Sequence, residues 1–185
     1  MNYIKSLRSM IGTRPIIAPG SAIIVMKEKE LLLQLRSDTN DWGIPGGGME
    51  LGDSFEETAK KELFEETGLI TNHLEILGLA SGKEFYYKFP HGDEIYNATV
   101  IFKAGKVSGN LKKDEESREL AYFPLDSLPE LNYTTQKILE KIGYIVVEEV
   151  ENEVDWKENV KWINGRDAVF WTFKRIFSVV LLMKT

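Results

Sequence analysis

Three glutamates stand close together in the stretch KKELFEETG, residues 60–68. Glu62, Glu65 and Glu66 are spaced so that a helix brings them to one face, where like charges repel by about 0.2–0.5 kcal/mol per pair. The C-terminal end of a helix also carries partial negative charge, which disfavours anions. Because the placement is unfavourable in both respects, a bound cation would stabilise it.

The apolar residues of the same segment show where this face lies. With a helical period, Phe55, Ala59 and Leu63 form one stripe, and the first and last of the three glutamates fall beside it rather than opposite. Carboxylates at the edge of a core-facing stripe lose hydration, which a divalent cation compensates. Oxygen ligands with positions left for water or phosphate suit Mg²⁺, with Mn²⁺ as a substitute. The alternative is a solvated acidic face neutralised by Lys60 and Lys61.

The flanking residues predict the elements that position the glutamates. The stretch WGIPGGGMELGD (42–53) contains too much Gly and Pro for regular structure, and its glycines allow close approach of the backbone. Ser54 and Glu57 match a capping box, and Gly68 is typical of a helix end. The cluster is therefore predicted in the last turns of a short helix that follows a glycine-rich loop.

The rest of the chain predicts an α+β or mixed α/β fold. SAIIVM (21–26) and LLLQLR (31–36) are expected to form a hairpin around a charged turn. Further strands are expected at LEILGLA, EFYYKF, EIYNATVIFKA and ELAYF, the second and third joined as a hairpin. Helices are expected near the N-terminus and at 134–142. Strands and helices mix without a strict βαβ repeat.

Composition limits the function classes. A chain of 185 residues with 43% hydrophobic residues can bury one substantial core. A net charge of −6 argues against stable nucleic-acid binding, which depends on Lys and Arg. The absence of cysteine excludes disulfides and thiolate ligands, which is compatible with a cytoplasmic protein. The N-terminus lacks the uninterrupted apolar core of a signal peptide.

The loop and helix together resemble a known signature. From Gly47 the chain runs Gly, five residues, Asp53, seven residues, then Lys-Glu-Leu-x-Glu-Glu-x-Gly-Leu, ending at Leu69. This pattern resembles the Nudix box of the Nudix hydrolase family, and the preceding WGIPGG is similar to its usual lead-in. Two positions depart from the box, since Asp53 stands for Glu and Lys61 for Arg. Looser similarity from about 16 to 143 places a Nudix domain at residues 1–150.

The resemblance implies an α/β/α sandwich around a mixed sheet. It also implies Mg²⁺-dependent hydrolysis of a nucleoside diphosphate linked to a nucleotide, a sugar or a second nucleoside. By position in the box, the metal ligands would be Glu62, Glu65, Glu66 and the carbonyl of Gly46, and Lys61 would orient a glutamate.

The general base is expected to be Glu62, which would accept a proton from the attacking water. The second choice is Glu116 or Glu115 on the charged segment KKDEESREL, for which a solvated turn is the alternative.

Candidate substrate contacts are fewer. Tyr86 and Tyr87 lie where some diadenosine polyphosphate hydrolases of the family place a tyrosine against the base, and neighbouring strand residues face opposite sides, so at most one would serve. The alternative is that both are ordinary strand aromatics. Arg36 is a candidate phosphate contact, with a solvated strand end as its alternative.

Two other functions are compatible with the sequence. One is a non-catalytic nucleotide-sensing module on the same fold, which the presence of all three box glutamates disfavours. The other is an interaction protein whose function lies in the C-terminal extension, residues 151–185.

Within this extension, residues 168–184 are mostly apolar and interrupted by Lys174 and Arg175. They are too short for a membrane span, which needs about 20 apolar residues. Packing on the domain's own sheet or in a homodimer is expected. Adsorption to a membrane surface is the alternative, which the net charge opposes.

Overall fold

The computed structural model describes residues 3–89 and 91–146. The helices in this part of the chain are α1 (Tyr3–Ile11), α2 (Phe55–Thr67) and α3 (Tyr133–Lys141), with one turn of 3-10 helix at Lys83–Phe85. The strands are β1 (Ile16–Ile24), β2 (Met26–Lys27), β3 (Glu30–Arg36), β4 (Trp42–Gly43), β5 (Gly46–Gly48), β6 (Leu69–Thr71), β7 (Leu74–Ala80), β8 (Tyr86–Lys88), β9 (Glu94–Ala104), β10 (Val107–Gly109) and β11 (Ser117–Pro124).

The strands of the described chain form a mixed five-stranded sheet and two smaller sheets. The first sheet has the order β5-β1-β9-β7, with β8 also paired to β9. Its central pair, β1 and β9, is parallel, whereas β5, β7 and β8 pair antiparallel. The second sheet contains β11-β3-β2 with β4 beside β3, and the third pairs β10 with β6. The expected mixed α/β architecture is confirmed.

The core lies on both faces of the first sheet. Successive residues of a strand face opposite sides, and the end of β1 is buried on both. Ile23 belongs to a cluster with Leu63 of α2 and Phe102, whereas Ile24 belongs to a second cluster with Leu139 of α3. The sheet is therefore enclosed between α2 and α3.

Local predictions agree with the structure. The N-terminal helix, the α2 helix and the β8–β9 hairpin are present. The Ser54 hydroxyl accepts from the Glu57 N–H, the Glu57 carboxylate accepts from the Ser54 N–H, and Gly68 ends α2 with φ 72°. These features depend on neighbouring residues alone, which is why their sequence signals are reliable.

Two predictions were wrong in part. The hairpin predicted for 21–26 with 31–36 is confined to β2 and β3. Most of the first segment belongs to β1, which pairs parallel with β9, because a strand that is apolar on both faces is buried in the centre of a sheet. The glycine-rich stretch 42–53 contains β4 and β5 rather than only irregular structure. Gly20 and Gly46 allow this pairing, because a Cβ on Gly20 would overlap the Gly47 carbonyl and a Cβ on Gly46 would overlap the Ser21 carbonyl.

Within the described residues, one face of the first sheet carries exposed apolar side chains. Ile17, Ile76, Leu79 and Tyr96 are 74%, 63%, 53% and 40% exposed. Their pairing registers place them on the face that carries α2. No helix in the described part of the chain is long and apolar enough to cross a membrane. The predicted extension 151–185 lies outside the described residues.

Deletion of residues 151–185 is expected to lower solubility, the melting temperature or the dimer fraction, because an apolar segment such as 168–184 must be covered. Metal binding at the glutamate cluster should persist. Thermal melts and light scattering of the two forms test this. Vesicle binding that the deletion removes, with melting temperature and mass unchanged, would instead assign the extension to a membrane surface.

Candidate active site

The glutamate cluster lies on the last turns of α2, beside the glycines of β5. Glu66 is the most buried of the three, at 5% exposed. Its Oε1 accepts a hydrogen bond from Gln34 Nε2 at 3.0 Å, and its Oε2 accepts one from the Gly46 N–H at 2.8 Å. Burial raises the pKa of this carboxyl to about 7, although both hydrogen bonds act in the opposite direction. Both oxygens of Glu66 are therefore fixed by neutral donors.

Glu62 lies one turn earlier and is partly buried. Its carboxylate fills the space where Gly47 lacks a side chain, since a Cβ there would lie 2.5–2.7 Å from the Glu62 carboxylate atoms. Burial is the main reason that the pKa of Glu62 is raised to about 7, and repulsion from Glu65 adds to it. The backbone of β5 thus approaches this carboxylate closely.

Two further residues of the motif, Glu65 and Lys61, are exposed. Glu65 and Lys61 both face solvent, and Lys61 makes no hydrogen bond or ion pair in the described part of the chain. Its charge nevertheless lowers the pKa of Glu62. Within residues 3–89 and 91–146, no three His, Cys, Asp or Glu side chains converge as a ready metal-binding group. The structure brings Glu62 and Glu66 to the glycines of β5 and leaves Glu65 at the rim.

Gly46 presents its backbone to the same place. The Ile23 N–H donates to the Pro45 carbonyl at 2.9 Å. Because hydrogen-bonded and open pairs alternate in an antiparallel ladder, the next pair, Ala22 with Gly46, is open. The Gly46 N–H and carbonyl therefore both point away from β1, and the N–H meets Glu66. This orientation makes the Gly46 carbonyl a suitable additional oxygen donor.

The loop before β11 comes close to the cluster. Glu116 and Asp114 raise the pKa of Glu62 through their charges, after the larger effects of burial and Glu65. Asp114 Oδ1 accepts from the N–H groups of Glu116 and Ser117 at 3.1 and 2.9 Å, which closes the turn. Glu115 is exposed. Glu116 is exposed as well, and its charge lies within electrostatic reach of Glu62.

Arg36 lies at the edge of the cleft. Its guanidinium makes a bidentate contact with Asp38 at 3.0 and 2.9 Å, and this contact raises the pKa of Arg36 above its ordinary value. The charges of Glu66 and Glu116 also raise it, so the guanidinium lies within their electrostatic reach. Arg36 is thus near the glutamates but is held by a carboxylate of its own loop.

The two tyrosines lie farther away. Tyr86 pairs with Tyr96, whereas β1 pairs Ala22, next to the glycines, with Ile101. Five residues of β9 correspond to about 17 Å along the strand. The Tyr86 hydroxyl donates to Glu94 at 2.7 Å, and the Tyr87 ring contacts Phe89 at a centroid distance of 4.8 Å. Both tyrosines have partners that account for them as strand aromatics.

Sequence reasoning missed Gln34, Ser117 and Asp114. The signal for Gln34 was present, because it is a polar residue within the buried run LLLQLR and is 2% exposed. Ser117 and Asp114 carried no such signal, because their contacts depend on how β11 meets β3.

The donor set fits a divalent cation. Two carboxylates with raised pKa values share the cleft, and neither forms an ion pair with Lys or Arg in the described residues. Oxygen donors from Glu62, Glu66 and the Gly46 carbonyl match the preference of Mg²⁺, which leaves positions for water and phosphate. Glu65 at the rim supplies a further carboxylate.

The raised pKa values predict how the metal-free protein responds to pH. For Glu62 and Glu66 the folded-state pKa of about 7 exceeds the ordinary 4.5, so protonation of these groups stabilises the folded protein. This stabilisation is fully present below pH 4.5 and is lost as pH rises through 7. In chelator, the melting temperature should fall by several degrees as pH rises from 5 to 7.5, because both carboxyls lose this stabilisation in that range. Glu62→Gln should flatten this slope and Glu56→Gln should not. An unchanged slope in Glu62→Gln would contradict the assignment.

Lys61 allows a second test. If its charge orients a glutamate, Lys61→Arg should keep or raise kcat, because the guanidinium adds a bidentate donor, whereas Lys61→Ala should lower kcat with little change in KM. Steady-state kinetics of the two variants measure this. An equal loss of kcat in both would show that Lys61 is not the orienting residue.

Comparison with known proteins supports the fold and identifies the family. A NUDIX domain model matches residues 17–142. The ADP-ribose pyrophosphatase of Methanocaldococcus jannaschii is 32% identical over 138 residues, which are 72% of this chain and 78% of that protein. The NAD-capped RNA hydrolase NudC of Actinobacillus succinogenes is 30% identical over 64% of this chain, which spans only 45% of that enzyme.

Among solved structures, the MutT NUDIX hydrolase of Burkholderia pseudomallei superposes with a TM-score of 0.59 at 23% identity. The match covers 68% of this chain and 97% of that one. This likeness concerns the fold, whereas the family model covers both the sheet and the glutamate helix. The chain therefore belongs to the Nudix hydrolase family, whose members hydrolyse pyrophosphate bonds.

Proposed function

We propose that the protein is a Mg²⁺-dependent pyrophosphohydrolase that cleaves a nucleoside diphosphate linked to a second moiety, with ADP-ribose as the first substrate to test. The observation that carries the proposal is the pair of carboxylates formed by the buried Glu66 and the partly buried Glu62, which lie together beside β5 without an ion-pair partner in the described chain. The relative from Methanocaldococcus jannaschii supports the choice of ADP-ribose.

Each residue of the site has a proposed role. Glu66, Glu62 and the Gly46 carbonyl hold the metal, and Glu65 completes the set from the rim. When bound, Mg²⁺ would neutralise phosphate charge and lower the pKa of a coordinated water. Mn²⁺ is the expected substitute.

Glu62 is the proposed general base. Its carboxylate lies against Gly47, beside the proposed metal position, where it would accept a proton from a coordinated water. Glu116 is the second candidate, because the described loop places its charge near Glu62 and Arg36. Arg36 is the proposed phosphate contact at the edge of the cleft. Tyr86 and Tyr87 are weaker candidates for the base, because both have partners within the sheet.

The test is a substrate panel with and without Mg²⁺. ADP-ribose, NAD, diadenosine polyphosphates and nucleoside triphosphates would each be incubated with the full chain, and mononucleotide release would be measured. Mg²⁺-dependent release of a mononucleotide from at least one of them is expected. No release from any of them, with tight nucleotide binding, would favour a nucleotide-sensing module instead.

A further inference from the structure

We infer that Gln34 and Ser117 are positioning residues that hold Glu66 in its metal-binding orientation. The inference rests on the proposed function, because it assigns a role to Glu66 as a ligand. Gln34 Nε2 donates to Glu66 Oε1 at 3.0 Å, and Ser117 Oγ donates to Gln34 Oε1 at 2.9 Å. The three side chains are 2%, 4% and 5% exposed for Gln34, Ser117 and Glu66.

The orientation of the Gln34 amide in this chain of hydrogen bonds is determined by Glu66. An ionised Glu66 accepts only, so the amide of Gln34 must turn its NH₂ group toward it. The amide oxygen then faces Ser117, whose hydroxyl satisfies it. The reversed amide would place two acceptors against each other in a buried site, which costs about 1–3 kcal/mol. Ser117 therefore satisfies the amide oxygen that Gln34 turns away from a charged Glu66, so both ends of the buried amide keep a hydrogen bond.

A bulge in β11 places Ser117 in this position. Glu119 pairs with Leu35, so a regular register would place Arg118 opposite Arg36. The register shifts between Ser117 and Glu119, and Ser117 pairs with Arg36 instead. Because Gln34 and Arg36 point to the same face of β3, the bulge puts the hydroxyl beside Gln34 and leaves Arg118 outside. A bulge that re-aims a side chain in this way is typical of functional sites.

The same residue connects the glutamate helix with the loop before β11. The Ser117 N–H donates to Asp114, and the Glu116 carbonyl accepts from the Ser37 N–H at 2.8 Å. Glu66 is thus joined through Gln34 and Ser117 to the loop that carries Glu116. Fixing Glu66 and that loop together reduces the freedom of both in the metal-free protein, which lowers the cost of binding a cation.

A matched pair of variants isolates the hydroxyl. Ser117→Thr keeps the hydroxyl. Ser117→Val has the same shape as the Thr variant but carries a methyl group in place of the hydroxyl. Mn²⁺ affinity of the full chain, measured by electron paramagnetic resonance without substrate, should be about tenfold weaker in Ser117→Val than in Ser117→Thr. For the substrate cleaved fastest in the panel, kcat should fall in the same order with KM little changed.

Gln34→Met should resemble Ser117→Val, and melting temperatures identify any variant that has merely lost stability.

The outcomes separate this inference from the proposed function. Equal Mn²⁺ affinity of the Thr and Val variants overturns the positioning role, whatever the activity. A weaker affinity in the Val variant supports the role even if no substrate of the panel is cleaved, in which case the proposed function alone fails. A parent protein that binds no Mn²⁺ overturns both.

Discussion

Glu66→Gln is expected to abolish turnover, with a loss of kcat on the order of 10²–10⁴-fold, while the fold is retained. The substitution removes the charge that would hold the metal and keeps the shape of the side chain. Stability should change little, because the new amide can donate to Gln34 if the Gln34 amide turns over and the Ser117 hydroxyl accepts. Neutralising a carboxyl that is 5% exposed also removes a desolvation cost.

Glu56→Gln is the matched control, since Glu56 is exposed on the first turn of the same helix. Nucleotide hydrolysis in Mg²⁺ and circular-dichroism melts of both variants measure the effect. Parental turnover in Glu66→Gln, or full activity of the parent in excess chelator, would exclude a metal held by this glutamate.

Sequence reasoning predicted the site where its determinants are local. The capping box at Ser54 and the helix end at Gly68 are specified within a few residues, and the position of the glutamates on α2 follows from them. The family motif then predicted Glu62, Glu65, Glu66 and the Gly46 carbonyl as metal ligands, and the structure brings Glu66 to Gly46 and Glu62 to Gly47.

Contacts between residues far apart in the sequence could not be predicted in the same way. Ser117 contacts Gln34 across 83 positions of sequence, and only the bulge in β11 makes that contact. The hairpin prediction for 21–26 failed for a related reason, because an apolar strand buried on both faces has no local signal for its partner. Arg36 was predicted as a candidate phosphate contact, but its bidentate bond to Asp38 depends on the folded loop and was not predicted.

Gly47→Ala is expected to reduce kcat by on the order of 10²-fold while leaving the melting temperature close to that of the parent. The added methyl group would lie 2.5–2.7 Å from the Glu62 carboxylate atoms, so the carboxylate must move. It is the end of a flexible side chain, and the backbone at Gly47 does not have a positive φ, so the fold accommodates the change at little cost. A displacement of about 1 Å at a catalytic group is enough for a loss of this size.

Two other glycines supply the comparison. Gly78→Ala should be silent, because Gly78 has a φ outside the positive region and no atom within 4 Å of the added Cβ. Gly46→Ala should instead lower the melting temperature, because its Cβ would overlap the backbone of Ser21 and Ala22 and its φ is 155°. Parental kcat in Gly47→Ala would show that Glu62 acts from another position. A fall in melting temperature as large as that of Gly46→Ala would mean that the glycine serves the strand pairing rather than the carboxylate.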